Sequence, residues 1–487
     1  MSDATLGATF TEQVTTTVAA RAGVLVCGGG TAGCVAAIAA ARNGADVLLL
    51  EASHCLGGMM TEGNAGLTKF ISHGVDAEDQ ARIVRQLRQD PAAVQQVGGI
   101  PLEITHRLLE AGAAVGTGGT GASYVFTDSQ AFKLLLYEML EEAGVRLMLH
   151  AAAVGVLTCG DGPGGSRLSG VVAQTRAGRR AYLADYVIDA TGDGDVAALA
   201  GVPFVLGVGP GDAVYQQELA PLGQMQAIGS MFRIGGVDLD RYMDHLRDHP
   251  EEFRVQRFGL MSHGEVLEAY DRGEMTVFQG VMPSGRQFQV YNYPRPGIVV
   301  GCISLKGSRN GLDPTQLTRA EYDVLLTTRD LVAQLQASVP GFERAFVLDT
   351  PRAGVRETRH VQGEYTLDVM DVLTGRDFDD AVGRGGHPVD IGPLPQEVEE
   401  VGPRSSWYFH IPYRTLVAAR LDNLLLAGRC TSATREAAGS LRPTVPCMVM
   451  GQAAGTAAAL LCGSGGAARD VDVTALRQHL RDQGAVL

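Results

Sequence analysis

Residues 24–33 read Val24-Leu25-Val26-Cys27-Gly28-Gly29-Gly30-Thr31-Ala32-Gly33, and the chain continues Cys34-Val35-Ala36-Ala37-Ile38-Ala39-Ala40-Ala41-Arg42 before Gly44. The first four residues are a short apolar run, as expected of a parallel strand buried on both faces. The run from Cys34 is small, apolar and helix-forming, and Gly44 ends it. Asp46–Leu50 reads as a second strand closed by Glu51. The spacing Gly28-x-Gly30-x-x-Gly33 therefore falls between a strand and a helix, where a dinucleotide fingerprint belongs. Gly28 makes the tight turn, Gly30 lets a pyrophosphate approach the backbone, and Gly33 lets the helix pack on the strand. Free N–H groups at the helix start, through Thr31 and Ala32, face the phosphates together with the positive end of the helix dipole. Glu51 stands where a carboxylate accepts from both ribose hydroxyls and repels a 2′-phosphate. The pattern predicts an α/β protein.

Composition narrows the remainder. The chain has 487 residues, enough for two or three domains or one large interrupted one. With 45% hydrophobic and 19% charged residues it can build a large core. A formal net charge of −14 argues against a nucleic-acid partner. None of the 8 cysteines forms a Cys-x-x-Cys pair, so neither a zinc ribbon nor a redox dithiol is expected, and no metal site is assigned. Residues 1–20 read as a loose arm without the pattern of a signal peptide. Gly, Arg or Asp interrupts each apolar run, so no membrane span is expected and a cytoplasmic setting is the simplest.

Further motifs separate FAD from NAD. Leu56-Gly57-Gly58-Met59-Met60-Thr61 follows the acid directly. Ala184–Ala190 is an apolar strand ending in Thr191-Gly192-Asp193-Gly194, and Asn423–Ala427 is another ending in Gly428-Arg429. Ser440-Leu441-Arg442-Pro443-Thr444-Val445-Pro446 precedes a small-residue helix through Gly451–Ala458. These motifs resemble FAD-dependent oxidoreductases of the glutathione-reductase-like superfamily, and more distantly the fumarate reductase and succinate dehydrogenase flavoproteins. Thr127–Lys133 with Met139–Val145, Gly354–Tyr365 and His410–Arg414 resemble the same bacterial group. The resemblance covers 24–70, 124–205 and 350–462. It implies a discontinuous Rossmann-like FAD-binding domain holding an inserted α+β substrate or cap domain. It also implies that FAD lies against Gly28, Gly30, Thr31, Ala32 and Gly33, against Glu51 and Ala52, and against Gly57, Gly58 and Met59. Further contacts are implied at Ala153 and Val154, at Ala190–Asp193, at Gly428 and Arg429, and at Ser440 and Leu441. In such proteins the final helix aims its N-terminus at the flavin N1–C2=O edge and stabilises the anionic reduced ring.

The boundaries that follow are 20–70, 124–205 and 405–465 for the FAD-binding parts. An insertion with a Gly-rich lid at Gly112–Gly121 occupies 71–123, and a substrate or cap domain occupies 206–404. Within the latter, Val281–Val300 reads as antiparallel strands, Asp313 to Leu335 as a capped helix, and Gly383–Pro403 as a Pro- and Gly-rich loop. No thiol pair follows Gly58, so dithiol reductase chemistry is excluded. Gly207-x-Gly209-x-Gly211 has the wrong spacing for a second nucleotide domain. The single Trp407 excludes the Trp-x-Trp of flavin halogenases.

Three residues are candidates for the chemistry. His410 reads as a base or hydrogen-bond partner, or as a packed edge residue. Arg414 reads as an anion clamp, or as the partner of an acid between domains. Arg356, with Arg359, reads as a binder of an anionic substrate, or as a brace for Glu357 and Glu364. His54 and Cys55 stand where a covalent flavin link is conceivable, and a noncovalent flavin is expected. The function expected is hydride transfer from a small organic substrate to flavin N5, in a dehydrogenase or oxidase with an unassigned electron acceptor. The rival readings are a flavin-dependent isomerase or lyase and an electron-transfer subunit, and a homo-oligomer fits either class.

Overall fold

The computed structural model describes residues 11–68, 70, 77–116, 124–162, 165–254, 262–274, 277–282, 284–349, 351–391, 394–401 and 407–487. The first run of elements is β1 (Thr17–Cys27), α1 (Thr31–Arg42), β2 (Val47–Leu50), α2 (Ser129–Glu142), β3 (Arg146–Met148), β4 (Ala152–Gly162), β5 (Gly165–Thr175) and β6 (Gly178–Asp189). The middle supplies β7 (Gly229–Gly235), β8 (Val277–Val281), β9 (Gln287–Asn292), β10 (Ile298–Ser304), α3 (Pro314–Ser338) and β11 (Phe346–Val347). The last run is β12 (Ala381–Gly385), β13 (Phe409–Pro412), β14 (Leu424–Leu426), α4 (Arg435–Leu441), α5 (Thr444–Ser464) and α6 (Val473–Asp482).

Strands β3, β2, β1 and β6 lie side by side and parallel, and β14 pairs parallel with the C-terminal end of β6. The antiparallel pair β4–β5 extends from the other end of β6. Alternation explains why these strands carry unbroken apolar runs. Val24, Val26, Leu49, Ile188 and Leu425 enter one core, while Leu25, Cys27, Leu48, Val187 and Leu426 enter the core on the opposite face. Each such Val or Leu stabilises the fold by about 1.5–3 kcal/mol when fully buried. Helices α1 and α5 cover the first face and touch backbone to backbone. A Cβ on Gly451 would lie 2.2 Å from the Ala32 carbonyl oxygen, and one on Gly455 2.1 Å from that of Ala36. The Rossmann-like reading of the ends of the chain therefore holds.

The middle of the chain forms a second sheet, in the order β8-β9-β10-β7-β11, with α3 against one face. Asp313 caps α3 by accepting from the Thr315 and Gln316 N–H groups, as its sequence predicts.

Four expectations change. Strand β1 begins at Thr17, where Thr17 is already in register with Arg180 of β6, so the ordered fold starts inside the expected loose arm. The stretch 383–403 is not a plain loop in its described residues: Gly383–Gly385 are the end of β12, paired with β13, and Gln396–Val401 form a helix. Leu367, Val372, Val382, Ile391 and Val398 also pack into the first core, although the expected cap domain runs to 404. Helix α5 is long and apolar enough to cross a membrane by length and composition, contrary to the sequence reading, yet 83% of its apolar window is buried in the core. Of the expected lid, Ala114–Gly116 forms a strand and 117–121 lie outside the described residues.

Candidate functional site

The turn between β1 and α1 is held by its glycines. Gly28 has φ +102°, and a Cβ there would stand 2.3 Å from the Ala190 carbonyl oxygen. A Cβ on Gly33 would stand 1.8 Å from the Gly28 carbonyl oxygen. At Gly30, by contrast, a Cβ would meet nothing within 4 Å, so this glycine opens onto space above the helix end. No side chain caps α1, which leaves its first N–H groups, beginning at Thr31 and Ala32, for a ligand. The Glu51 carboxylate accepts from the Gly29 and Ser53 N–H groups, which fix it beneath the turn. Each carboxylate oxygen retains a lone pair for a ribose hydroxyl. Ala52 follows it, and the Ala151 N–H donates to the Glu51 carbonyl at 2.9 Å, which brings Ala153 and Val154 of β4 to the same end of the sheet.

The remaining expected segments converge on this turn. The Gly57 N–H donates to the Gly29 carbonyl at 2.9 Å, and a Cβ on Gly58 would lie 3.3 Å from the Gly30 Cα. The Ala190 N–H donates to the Cys27 carbonyl at 2.8 Å. Beyond it Thr191, Gly192 and Asp193 reach the loop after β14, where Arg429 donates to the Asp193 carboxylate at 2.8 Å. Gly428 has φ +90°, and a Cβ there would stand 3.0 Å from the Ala32 Cβ and 3.9 Å from the Cys447 sulfur in the first turn of α5. Cys447 Sγ donates to the carbonyls of Leu441 and Arg442, while Ser440 lies wholly buried with an unpartnered hydroxyl. Burial pushes the Cys447 thiol up to about 12, so it stays protonated. An open Gly30, an uncapped helix and an anchored Glu51 fit an FAD pyrophosphate and ribose.

The same space is closed by residues of the second sheet. A Cβ on Gly354 would stand 3.1 Å from the Met59 methyl, and the Gly354 N–H donates to the Gly229 carbonyl at 2.7 Å. Arg356 follows, donating to the Ala227 carbonyl at 2.6 Å and to Ser304 Oγ at 2.8 Å. Arg442, just before α5, donates to the Asp390 carboxylate at 2.6 Å. Burial pushes Asp390 up, but Arg442, His387 and Arg356 hold its carboxyl below the usual range. Arg442 is itself held below the ordinary guanidinium range by burial and by Arg356, against the pull of Asp390. His387 Nδ1 lies 2.8 Å from the Pro388 carbonyl. A carbonyl only accepts, so Nδ1 carries a proton.

The pattern of this chain from residue 23 to 480 matches the family model described as FAD dependent oxidoreductase. The chain belongs to that family, and FAD is its cofactor. This FAD-dependent oxidoreductase is an enzyme of mixed α/β fold. Among solved structures it is similar to a geranylgeranyl bacteriochlorophyll reductase-like protein from Thermoplasma acidophilum, with 15% identity, 95% of this chain and 82% of that one covered, and a TM-score of 0.42. A flavoprotein/dehydrogenase from Cytophaga hutchinsonii gives 12% identity, 94% and 83% coverage and a TM-score of 0.43. The flavin-dependent brominase Bmp2 gives 11%, 95% and 83%, and 0.42. No curated protein matches this chain. The likeness to glutathione reductase and to fumarate reductase flavoproteins rests on the sequence motifs alone.

Of the three expected chemical residues, Arg356 stands at this junction. His410 sits on β13 with its Nδ1 3.2 Å from the Arg376 carbonyl and 3.2 Å from the Asp377 carboxylate, while Arg384 approaches its Nε2 at 3.3 Å. Burial, offset by the Arg376 carbonyl, holds its pKa below the ordinary value. Arg414 donates to the Asp380 carboxylate at 2.9 Å and lies over the Tyr365 ring. Among the described residues neither makes a hydrogen bond or ion pair with the fingerprint turn, Gly57–Met59 or the second sheet, and Arg414 is paired with an acid, Asp380. Arg442, Asp390 and His387 escaped the sequence reading, although Arg442 adjoins the expected Ser440 and Leu441.

Proposed function

We propose that this oxidoreductase oxidises a small organic anion by hydride transfer, as a dehydrogenase or oxidase. The observation that supports it is Arg356, whose partners are a carbonyl and a hydroxyl, both neutral. Among the described residues no carboxylate forms an ion pair with it, and a guanidinium presents a planar fork suited to a carboxylate. Bound FAD supplies the two-electron acceptor. Arg356 holds the substrate anion and fixes its orientation. The Arg442–Asp390 pair sets a rigid wall beside it, since Asp390 absorbs the charge of Arg442 and leaves Arg356 for the substrate.

The test is anaerobic bleaching of the FAD-loaded protein by carboxylic acids and by their methyl esters. The acids should bleach it and the esters should not. Arg356→Gln should slow bleaching or raise the half-saturating concentration by about 10–100-fold, the equivalent of a charge-assisted hydrogen bond of about 1.5–3 kcal/mol. Flavin occupancy should be unchanged. Equal bleaching by esters, or an unaffected Arg356→Gln, sinks the reading.

A further inference from the structure

The second sheet is split beside Arg356. Strands β9 and β10 pair only at Val290↔Gly301, Tyr291↔Val300 and Asn292↔Val299. Continued pairing would set Gln289 opposite Cys302, Phe288 opposite Ile303 and Gln287 opposite Ser304, but these residues are not in register. Each flank instead stays bonded to its outer neighbour. Gln287–Gln289 pair with β8, and Cys302–Ser304 pair with β7. A cavity of about 290 Å³ lies in this split, with Gln279, Thr327 and Arg286 among its walls. Three residues of strand make the slot about 10 Å deep, at roughly 3.3 Å per residue. Its volume sits at the small end of ligand sites, which run from about 300 Å³ upward.

The chemistry of the walls is one-sided. No acidic side chain lines the slot among the described residues. Arg286 donates to the Gln334 amide oxygen, another neutral partner. The slot meets the Arg356 site through Ser304, which lines the cavity and accepts from Arg356 at 2.8 Å. Cys302, also in the wall, feels the charges of both Arg356 and Asp390. The Gln279 and Gln287 amides and the strand edges that face each other unpaired each offer donors beside acceptors, while the Gln289 amide donates to the Tyr291 hydroxyl. Hydroxyl groups are the ligand groups that match both, since each donates and accepts.

We infer that the split between β9 and β10 binds the hydroxylated tail of a polyhydroxy carboxylic acid whose carboxylate is held at Arg356. This rests on the proposed oxidation of an organic anion and names the class of anion. The strand divergence follows from this task, because a closed sheet would spend these backbone groups on each other.

Glycolate and D-gluconate serve as probes, since both are 2-hydroxy carboxylates and they differ in the hydroxylated tail. Binding to the FAD-loaded protein is measured by anaerobic equilibrium dialysis. Gluconate should bind at least about 10-fold tighter than glycolate. Gln279→Leu and, separately, Thr327→Val should reduce that preference and leave glycolate affinity and the flavin spectrum as they are. Arg356→Gln should weaken both probes by a similar factor. An absent preference in the unaltered protein, or one that survives both slot substitutions, overturns the slot while leaving the Arg356 clamp standing. Arg356→Gln without effect on either probe overturns the clamp itself.

Discussion

Glu51 and Glu436 show how two buried or half-buried carboxylates on one chain take different roles. Glu51 was legible because strand, turn and acid stand in fixed order in one continuous stretch. Glu436 was not, because its role depends on partners far away in the chain. It lies wholly buried in α4, accepting from the Val214 N–H at 2.9 Å, and its second oxygen has no partner. Burial, and next to it the Asp212 carboxylate, raise its pKa above the ordinary 4.5, against the Val214 hydrogen bond. The folded state therefore holds this proton more tightly than the unfolded state. The stability linked to it is complete below 4.5 and declines as pH rises through the raised folded value. Glu436→Gln keeps the acceptor for Val214 and carries no charge to desolvate. Its melting temperature should exceed that of the unaltered protein at about pH 8, and the gap should narrow toward about pH 4.5. A constant gap across that range would show that Glu436 does not titrate with folding.

At the scale of elements, what glycine does decided which readings succeeded. In α1 and α5 the small residues form apolar helix-forming runs, so two helices could be read, though not their contact. In β12 they misled. Gly383 stands where a Cβ would come 2.2 Å from a Val449 methyl, and Gly385 where it would come 2.4 Å from the Phe409 ring. These glycines make room for partners on other elements, and a strand built that way has the composition of a loop. The split between β9 and β10 was equally invisible, since alternation announces strands but not whether neighbours stay paired. The α1–α5 contact yields a quantitative expectation. In an isolated helix Gly455→Ala would gain about 1 kcal/mol in propensity. Here the new methyl would stand 2.1 Å from the Ala36 carbonyl oxygen, and backbone does not yield as a flexible side chain does. Overpacking of this kind costs about 1–3 kcal/mol. The steric term should win, with a net loss of up to about 2 kcal/mol in urea unfolding. FAD should also bind more weakly, because α1 carries the phosphate site at its N-terminus. A Gly455→Ala variant as stable as the unaltered protein would place the gap between the helices wider than it stands.

Across the whole molecule, two apolar cores meet at a junction built from charge. The junction joins segments distant in sequence, which is why Arg442, Asp390 and His387 could not be assigned from spacing. Asp193 accepts from Arg429 and from the Thr358 hydroxyl, while Glu357 accepts from Arg435 and from the Gln226 N–H. Asp390 accepts from Arg442. Burial pushes all three carboxyls up, but their partners prevail and hold each below its ordinary value: Arg429 chiefly for Asp193, His360 and Arg435 for Glu357, Arg442 for Asp390. A carboxyl with a depressed folded pKa adds stability above its unfolded value, 3.8 for the aspartates and 4.5 for the glutamate, and loses it as pH falls through the folded value. The apolar cores on either side lack this dependence. Acid should therefore loosen the junction before it melts the sheets. Since Gly354, Arg356 and Arg442 close the flavin space from the junction side, free FAD fluorescence should rise at a higher pH than the pH at which helical circular dichroism falls. At neutral pH, Asp390→Asn should remove the Arg442 pairing and weaken FAD retention without changing the dichroism. If flavin release and loss of helix coincide in the acid titration of the unaltered protein, the junction is no weaker than the cores, and its ion pairs are not what keeps the site closed.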